Sequence, residues 1–368
     1  EHEWHFLPID LSNVVLCEIE GNSQMGRISS RRFLIHNLRF QSPFMKFDGS
    51  IPATNLQSFI CSDRIKLVCF DCDGVLWRDG KLLPGAKDLI VKYKSHGKYI
   101  AYLTNNATVP PTKFQNKLKT LGIPFDSGSD CIVTSGTCTC RVLIQHYELH
   151  KSHLLSSFTF AHELSKQGEK EEKVIPTVVV SGAPGLCDII RKDTPFKVKT
   201  MPKDMKREDI ARMDLDPSVF AVVVGYDLDI SYNRIAFAGV YARALPSHGL
   251  FLATNSDREF PASGQNVLPG AGCLVAPFKE FVVDKSPVYA GKPSKLMLEI
   301  AMDKYCVKVD EVVMIGDRLD TDIRMAKDCR VFSICTLTGV TTERVLKEAY
   351  GTLDYPDAII GGVHDLLG

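Results

Sequence analysis

The sequence predicts an α/β fold: a doubly wound, parallel-sheet (Rossmann-like) core with a large α/β domain inserted into it. Three observations carry this. Short apolar runs alternate with helix-period segments from about Ile65 onward, the βαβα order of a parallel sheet. Several runs end in carboxylates, amides or hydroxyls, and open α/β sheets hold ligands at the carboxyl ends of their strands. A block of about 140 residues interrupts the alternation, which is too long for a loop.

Residues 1–61 show no such alternation. Between Gly21 and Phe47 there is no Asp or Glu, while Arg27, Arg31, Arg32 and Arg39 are present. The segment reads as an extension, either disordered or a mitochondrial targeting signal. The core is expected over 62–146 and 286–368, and the inserted domain, or cap, over 147–285. Leu67–Phe70 reads as the first strand. Pro84-Gly85-Ala86 opens a helix whose apolar face is Leu89, Ile90 and Tyr93, and Gly97 ends it. Tyr99–Thr104 is the next strand. Pro110-Pro111 starts a helix carrying Phe114, Leu118 and Leu121 on one side. Cys131–Thr134 is a third strand, and Ser135 or Gly136 caps a helix reaching about Tyr147. The charge run Lys166–Lys173 reads as a solvated loop. Cap strands are expected at Thr177–Ser181, Val219–Gly225 and Leu250–Thr254, and the core resumes near Ser286.

A chain of 368 residues exceeds one typical core, which also favours two domains. Formal net charge is zero, so nothing points to a nucleic-acid partner. No stretch approaches the ~20 apolar residues of a membrane span. Twelve cysteines invite a disulfide or zinc reading, but most are scattered. Cys69 and Cys72 have Cys-x-x-Cys spacing without a second pair to complete a zinc site. Free thiols, a reducing compartment and a cytoplasmic location are expected.

The first strand ends in Asp71-Cys72-Asp73-Gly74. Residues i and i+2 of an extended chain share a side, so both carboxylates can face one site. Two such groups repel unless a cation or proton sits between them. A strand followed by a solvated acidic turn fits those four residues equally well. Three later segments bear on the choice. Tyr99–Thr104 runs into Asn105-Asn106, Ala290-Gly291-Lys292-Pro293 places one lysine after an apolar stretch, and an apolar strand from Glu311 to Gly316 runs into Asp317-Arg318-Leu319-Asp320-Thr321-Asp322. In this order the four segments resemble the motifs of the haloacid dehalogenase superfamily of phosphohydrolases. Phe70–Trp77, Gly291–Ser294, Gly316–Ile323, Thr336-Leu337-Thr338-Gly339-Val340 and Tyr355-Pro356-Asp357 are similar to its p-nitrophenyl phosphatase branch, which holds phosphoglycolate and pyridoxal phosphatases. The likeness runs from about Arg64 to the end.

The resemblance implies a Mg²⁺-dependent phosphatase of small phosphomonoesters, phosphoglycolate phosphatase-like, working through an aspartyl-phosphate. It makes Asp71 the nucleophile and Asp73 the general acid and base, with the Asp73 backbone carbonyl on the metal. Asp71 and Asp317 are the implied side-chain metal ligands, with Asp322 behind them holding metal-bound water or Lys292. Asp320 reads as structural. Thr104, the Asn105 amide and Lys292 would hold the phosphate. Oxygen-only ligands favour Mg²⁺ over zinc. Trp77 shields the site or merely packs.

In the cap, Gly225–Tyr232 resembles a family loop associated with specificity and with a cap-mediated homodimer. Tyr226, Asp229 and Asn255 are the candidate substrate contacts. Asp229 stands where relatives often carry His; an acid there repels anionic leaving groups if it faces the site, and does nothing if it faces solvent. Pro269-Gly270-Ala271-Gly272 contacts substrate or simply starts a helix. His248 reads as a surface residue. The alternatives are a pyridoxal or protein phosphatase of the same fold, a receiver-type signalling domain, and a catalytically silent phospho-Asp scaffold. A large cap disfavours protein substrates, and Asp73 disfavours a receiver.

Overall fold

The structure is a computed structural model describing residues 53–165, 174–261 and 266–367. Among these residues, six parallel strands form the first sheet. Their spatial order is Ala358–Ile360, Phe332–Thr336, Val312–Gly316, Leu67–Asp71, Tyr99–Thr104 and Asp130–Thr134. The first strand in the chain therefore lies inside the sheet. Cys69 pairs with Ala101 on one side and Met314 on the other. The connections leave these two sides in opposite directions, so a crevice opens beyond Asp71.

The alternation along this strand sets its two packed faces. Leu67 and Cys69 join one core with Ala101, Leu103 and Met314, while Val68 and Phe70 join another with Ile100, Tyr102 and Ile315. All four strand residues are fully buried, which accounts for an uninterrupted apolar run rather than an alternating one. Helices Ala86–Ser95 and Pro111–Thr120 cover the second face through Leu89, Ile90, Tyr93, Phe114 and Leu118.

Five parallel strands form the second sheet, in the order Val288–Tyr289, Leu250–Ala253, Val219–Val224, Thr177–Ser181 and Lys197–Lys199. Helices Tyr232–Ala244 and Ala271–Phe281 pack on it through Phe237, Tyr241, Val275 and Phe278. Two hairpins, Trp77–Arg78 with Lys81–Leu82 and Glu259–Pro261 with Val267–Pro269, complete the architecture.

Three boundary expectations are corrected. Residues 1–61 are not all extension: Ala53–Cys61 is a helix whose Leu56 and Ile60 are buried in the core and whose Phe59 ring lies 5.0 Å from Phe332. Two apolar positions four residues apart are too little periodicity to read, and such a helix owes its stability to packing. Residues 1–52 and the charge run at 166–173 lie outside the described residues. The helix expected to stop at about Tyr147 runs from Ser135 to Ser165, across the expected 146/147 boundary. Beyond Gly136 it contains no Gly or Pro, so nothing in it stops propagation. The first sheet does not resume at 286 either, because Val288–Tyr289 pairs with Leu252 and Ala253 of the second sheet. Two residues carry too short a pattern to assign to either sheet.

Candidate active site

Asp71 closes its strand and is buried. Its Oδ1 accepts from the Lys292 ammonium, which also lies 2.7 Å from Asp322 Oδ1. Lys292 is buried too. The two flanking carboxylates drive its pKa upward against the opposing effect of burial, so it stays charged. Asp317 follows strand Val312–Gly316, and a wide π-type turn over Leu319–Ile323 brings Asp322 back beside it. Arg318 N donates to Asp322 Oδ2 at 3.2 Å, which closes that turn. Among the described residues, Asp71, Asp317 and Asp322 present carboxylate oxygens within 4.8 Å of one another.

Electrostatics match this crowding. Burial raises the Asp71 carboxyl well above the usual range; Lys292 opposes the rise, while Asp322 and Asp317 add to it. Asp317 is pushed up to about 7, first by burial and then by Asp322. Its Oδ2 accepts from Val340 N at 2.7 Å. Glycine is required around it. Gly74 has φ +90°, and a Cβ there would lie 2.6 Å from Asp317 Oδ2; at Gly339 it would lie 1.8 Å away. Three buried carboxylates with oxygen-only donors, in a space kept clear by two glycines, fit a hard divalent cation.

Asp73 stands apart from that trio. Its side chain is 56% exposed, lines the same pocket, and accepts from Trp77 Nε1 at 2.8 Å, with Lys117 Nζ 3.9 Å away. Trp77 is fully buried against Phe114, so it packs and bonds Asp73 at once.

Thr104 ends its strand buried in the pocket wall. The Asn105 peptide is fixed from three sides. Ser135 Oγ donates to its carbonyl at 2.6 Å and Asn255 Nδ2 at 2.8 Å, while the Asn105 side-chain Oδ1 accepts from Lys292 N at 2.8 Å. Asn255 thus ties the second sheet to the first.

The pocket, about 420 Å³, is lined from the first sheet and its hairpin by Asp71, Asp73, Thr104, Asp317 and Arg78, by Lys292 just after the Val288–Tyr289 strand, and from the other side by Tyr226, Asn255, Asp257, Glu259 and Phe260. Asp229 does not line it and is corrected here. It is 76% exposed and pairs with Arg234, whose guanidinium is mainly engaged by the buried Asp227. Asp320 is also exposed, paired with Arg318.

Several residues went unread. Asp257 Oδ1 accepts from Asn105 Nδ2 at 3.0 Å, and burial raises its carboxyl against the pull of Arg318. The Phe260 ring stands edge-on to Tyr226 at 5.7 Å. The Thr336–Val340 segment reaches the site as well: besides Val340 N, Thr338 Oγ1 donates to Gly74 O at 2.6 Å. Its family likeness was visible, but its place beside Asp317 was not.

Comparison with known proteins gives the family. A profile of haloacid dehalogenase-like hydrolases matches residues 68–192, and a HAD-hydrolase-like profile matches 289–366. Rat (Rattus norvegicus) glycerol-3-phosphate phosphatase is 30% identical over 316 residues, covering 83% of this chain and 90% of that one. Phosphoglycolate phosphatase 2 of Arabidopsis thaliana is 26% identical over 317 residues, covering 86% and 96%. Among solved structures, a hypothetical protein from Pyrococcus horikoshii superposes with a TM-score of 0.63 at 28% identity, covering 82% of this chain and 98% of that one. A 4-nitrophenylphosphatase from Thermotoga maritima gives 0.61 at 24% identity, covering 83% and 97%. The chain belongs to the haloacid dehalogenase-like hydrolase family, and to the phosphatases within it.

Proposed function

We propose that this phosphatase cleaves small phosphate monoesters by transferring the phosphoryl group to Asp71. The observation that carries the reading is the convergence of Asp71, Asp317, Asp322 and Lys292 in one buried pocket at a strand's carboxyl end. An Asp71 oxygen attacks phosphorus, and Asp73 gives its proton to the departing alcohol oxygen. Water then attacks the phosphoryl group, Asp73 takes the water's proton, and the bond to Asp71 breaks. Lys292 keeps a fixed positive charge beside the transferring group, and Thr104 and the Asn105 amide hold its oxygens. Asp71, Asp317 and the Asp73 carbonyl would hold Mg²⁺, with Asp322 behind them. When bound, that ion offsets the repulsion between carboxylates and phosphate.

The pocket supports small leaving groups and disfavours protein substrates. Arg78, Arg318, Asp257 and Glu259 all line it, with Arg318 Nη1 donating to the Glu259 carbonyl at 3.4 Å, a mixed wall that suits small hydroxylated esters such as glycerol phosphate or phosphoglycolate. The Tyr226–Phe260 ring pair favours a second reading, an aromatic leaving group of the pyridoxal type. Leu228, 83% exposed, and Tyr232, 68% exposed, support pairing of two copies through the 225–232 loop. Unbridged cysteines among the described residues support a reducing, cytoplasmic compartment. No helix among the described residues is long and apolar enough to cross a membrane.

Hydrolysis of p-nitrophenyl phosphate with Mg²⁺, with EDTA, and by Asp71→Asn tests the mechanism. Activity is expected in the first case alone, and turnover that survives both EDTA and Asp71→Asn overturns it. Relative kcat/KM over glycerol phosphate, phosphoglycolate and pyridoxal phosphate separates the two substrate readings.

A further inference from the structure

Four histidines gather far along the chain from the acidic motifs, where the Ser135–Ser165 helix passes the loop before Leu250–Ala253. His146, His150 and His153 recur at steps of four and three residues, so they share one face of that helix. His248 meets them from the loop, and its surface reading from sequence alone is incomplete. Its ring centroid lies 4.8 Å from that of His150 and 4.5 Å from that of His153. The His146 and His150 centroids are 4.6 Å apart. A shallow pocket edged by His153, His248 and neighbouring serines opens on the group.

The loop is held in place rather than resting there. His146 Nε2 lies 2.8 Å from the His248 carbonyl oxygen; a carbonyl only accepts, so Nε2 carries the proton. From the other side Lys285 Nζ donates to Leu245 O at 2.7 Å and Pro246 O at 3.1 Å. Protonated imidazoles at these separations would repel. Burial, and then His146, His248 and His153, hold the His150 imidazole below its ordinary range, so it is a neutral base at neutral pH.

We propose that His150, His153 and His248 bind one borderline divalent transition ion of the Zn²⁺ type, with His146 as a positioning residue. Zn–N bonds of about 2.0–2.1 Å put the centroids of two imidazoles on one tetrahedral ion roughly 5 Å apart, which the His150–His248 and His153–His248 pairs match. The His150 and His248 rings are stacked at 23°, so their lone pairs converge only after rotation about side-chain bonds. Both rings are half-exposed and have room to turn. Nitrogen donors favour zinc, copper or nickel, whereas the carboxylates around Asp71 favour magnesium, so the two sites select different ions. The ion would also join two segments that both lead to Asn105: the helix begins with Ser135, and the strand after His248 leads to Asn255.

The test is calorimetric titration of Zn²⁺ into the full chain at pH 7.5 with Mg²⁺ saturating, repeated on Asp317→Asn to disable the acidic site. One Zn²⁺ per chain is expected in both. His150→Ala and His153→Ala should each lose at least tenfold in affinity, and His146→Ala less than tenfold, because its Nε2 holds only the His248 backbone carbonyl. His153 is exposed, so His153→Ala leaves the fold intact. Zn²⁺ should raise the melting temperature of the wild type and not of the His150→Ala/His248→Ala double variant. Binding that is unchanged in His150→Ala and His153→Ala, or no stoichiometric binding by the wild type, overturns the proposal.

Discussion

Trp77 donates its indole N–H to the carboxylate of Asp73, four residues earlier in the chain, at 2.8 Å. The indole is wholly buried and the carboxylate largely exposed, so a buried donor orients an exposed acid. Trp77→Phe keeps an aromatic ring against Phe114 while removing the donor and some buried volume. The expected result is a fall in kcat of about tenfold with KM little changed, because misplacing a reacting group costs rate rather than binding. Steady-state kinetics check it. An unchanged kcat would leave Trp77 a packing residue only.

Lys292 separates two buried carboxylates, Asp71 and Asp322. Removing one partner from a buried ion cluster leaves uncompensated charge and costs about 3–5 kcal/mol. Lys292→Ala is therefore expected to lower both activity and stability, while Lys292→Arg keeps charge but not shape. Urea unfolding midpoints in EDTA measure the stability loss, and Mg²⁺ should recover part of it.

Asp317 gives a pH dependence opposite to that of an ordinary salt-bridged acid. Its carboxyl is raised in the folded protein to about 7, from an ordinary value of 3.8. Between those values the folded state holds a proton that the unfolded state has released. Stability from this group is thus fully present at low pH and lost as pH rises toward 7. In EDTA, the melting temperature of Asp317→Asn should fall less between pH 5 and 7.5 than that of the wild type. Mg²⁺, which prefers the ionised carboxylate, should bind more tightly as pH rises through about 7.

The core was legible because each of its signals is local. Leu67–Phe70 is apolar at four consecutive positions since both faces of its strand are covered, and Asp71 and Lys292 lie in short motifs of fixed type. Asp257 and Phe260 carry no comparable signal. They sit in Asn255–Phe260, which has neither helix nor strand periodicity, and they reach the pocket only because the second sheet docks Asn255 on Asn105. Asp229 was misread for a related reason. Sequence placed it in the right loop, but the Asp227–Arg234 pair occupies the buried side of that loop and leaves Asp229 outward.

That difference between two cap acids yields a paired prediction. Asp229→His alters an exposed carboxylate outside the pocket, so kcat/KM for phosphoglycolate and glycerol phosphate should stay within about twofold of wild type, as surface changes usually do. Asp257→Ala removes an acceptor that holds the Asn105 side chain, and that side chain in turn accepts from the Lys292 amide. Asn105 Nδ2 keeps the Lys292 carbonyl at 3.3 Å as an acceptor, so losing this one hydrogen bond costs about 0.5–1.5 kcal/mol, enough for a roughly 2–12-fold loss if the misalignment reaches the phosphate-binding peptide. Measured with both substrates, the loss at Asp257 should be similar for each, because it acts through Asn105 rather than through the leaving group. A loss confined to one substrate would instead make Asp257 a direct contact to that leaving group, and a strong effect at Asp229 would return the 225–232 loop to the pocket, through movement of the cap or through a second copy of the chain.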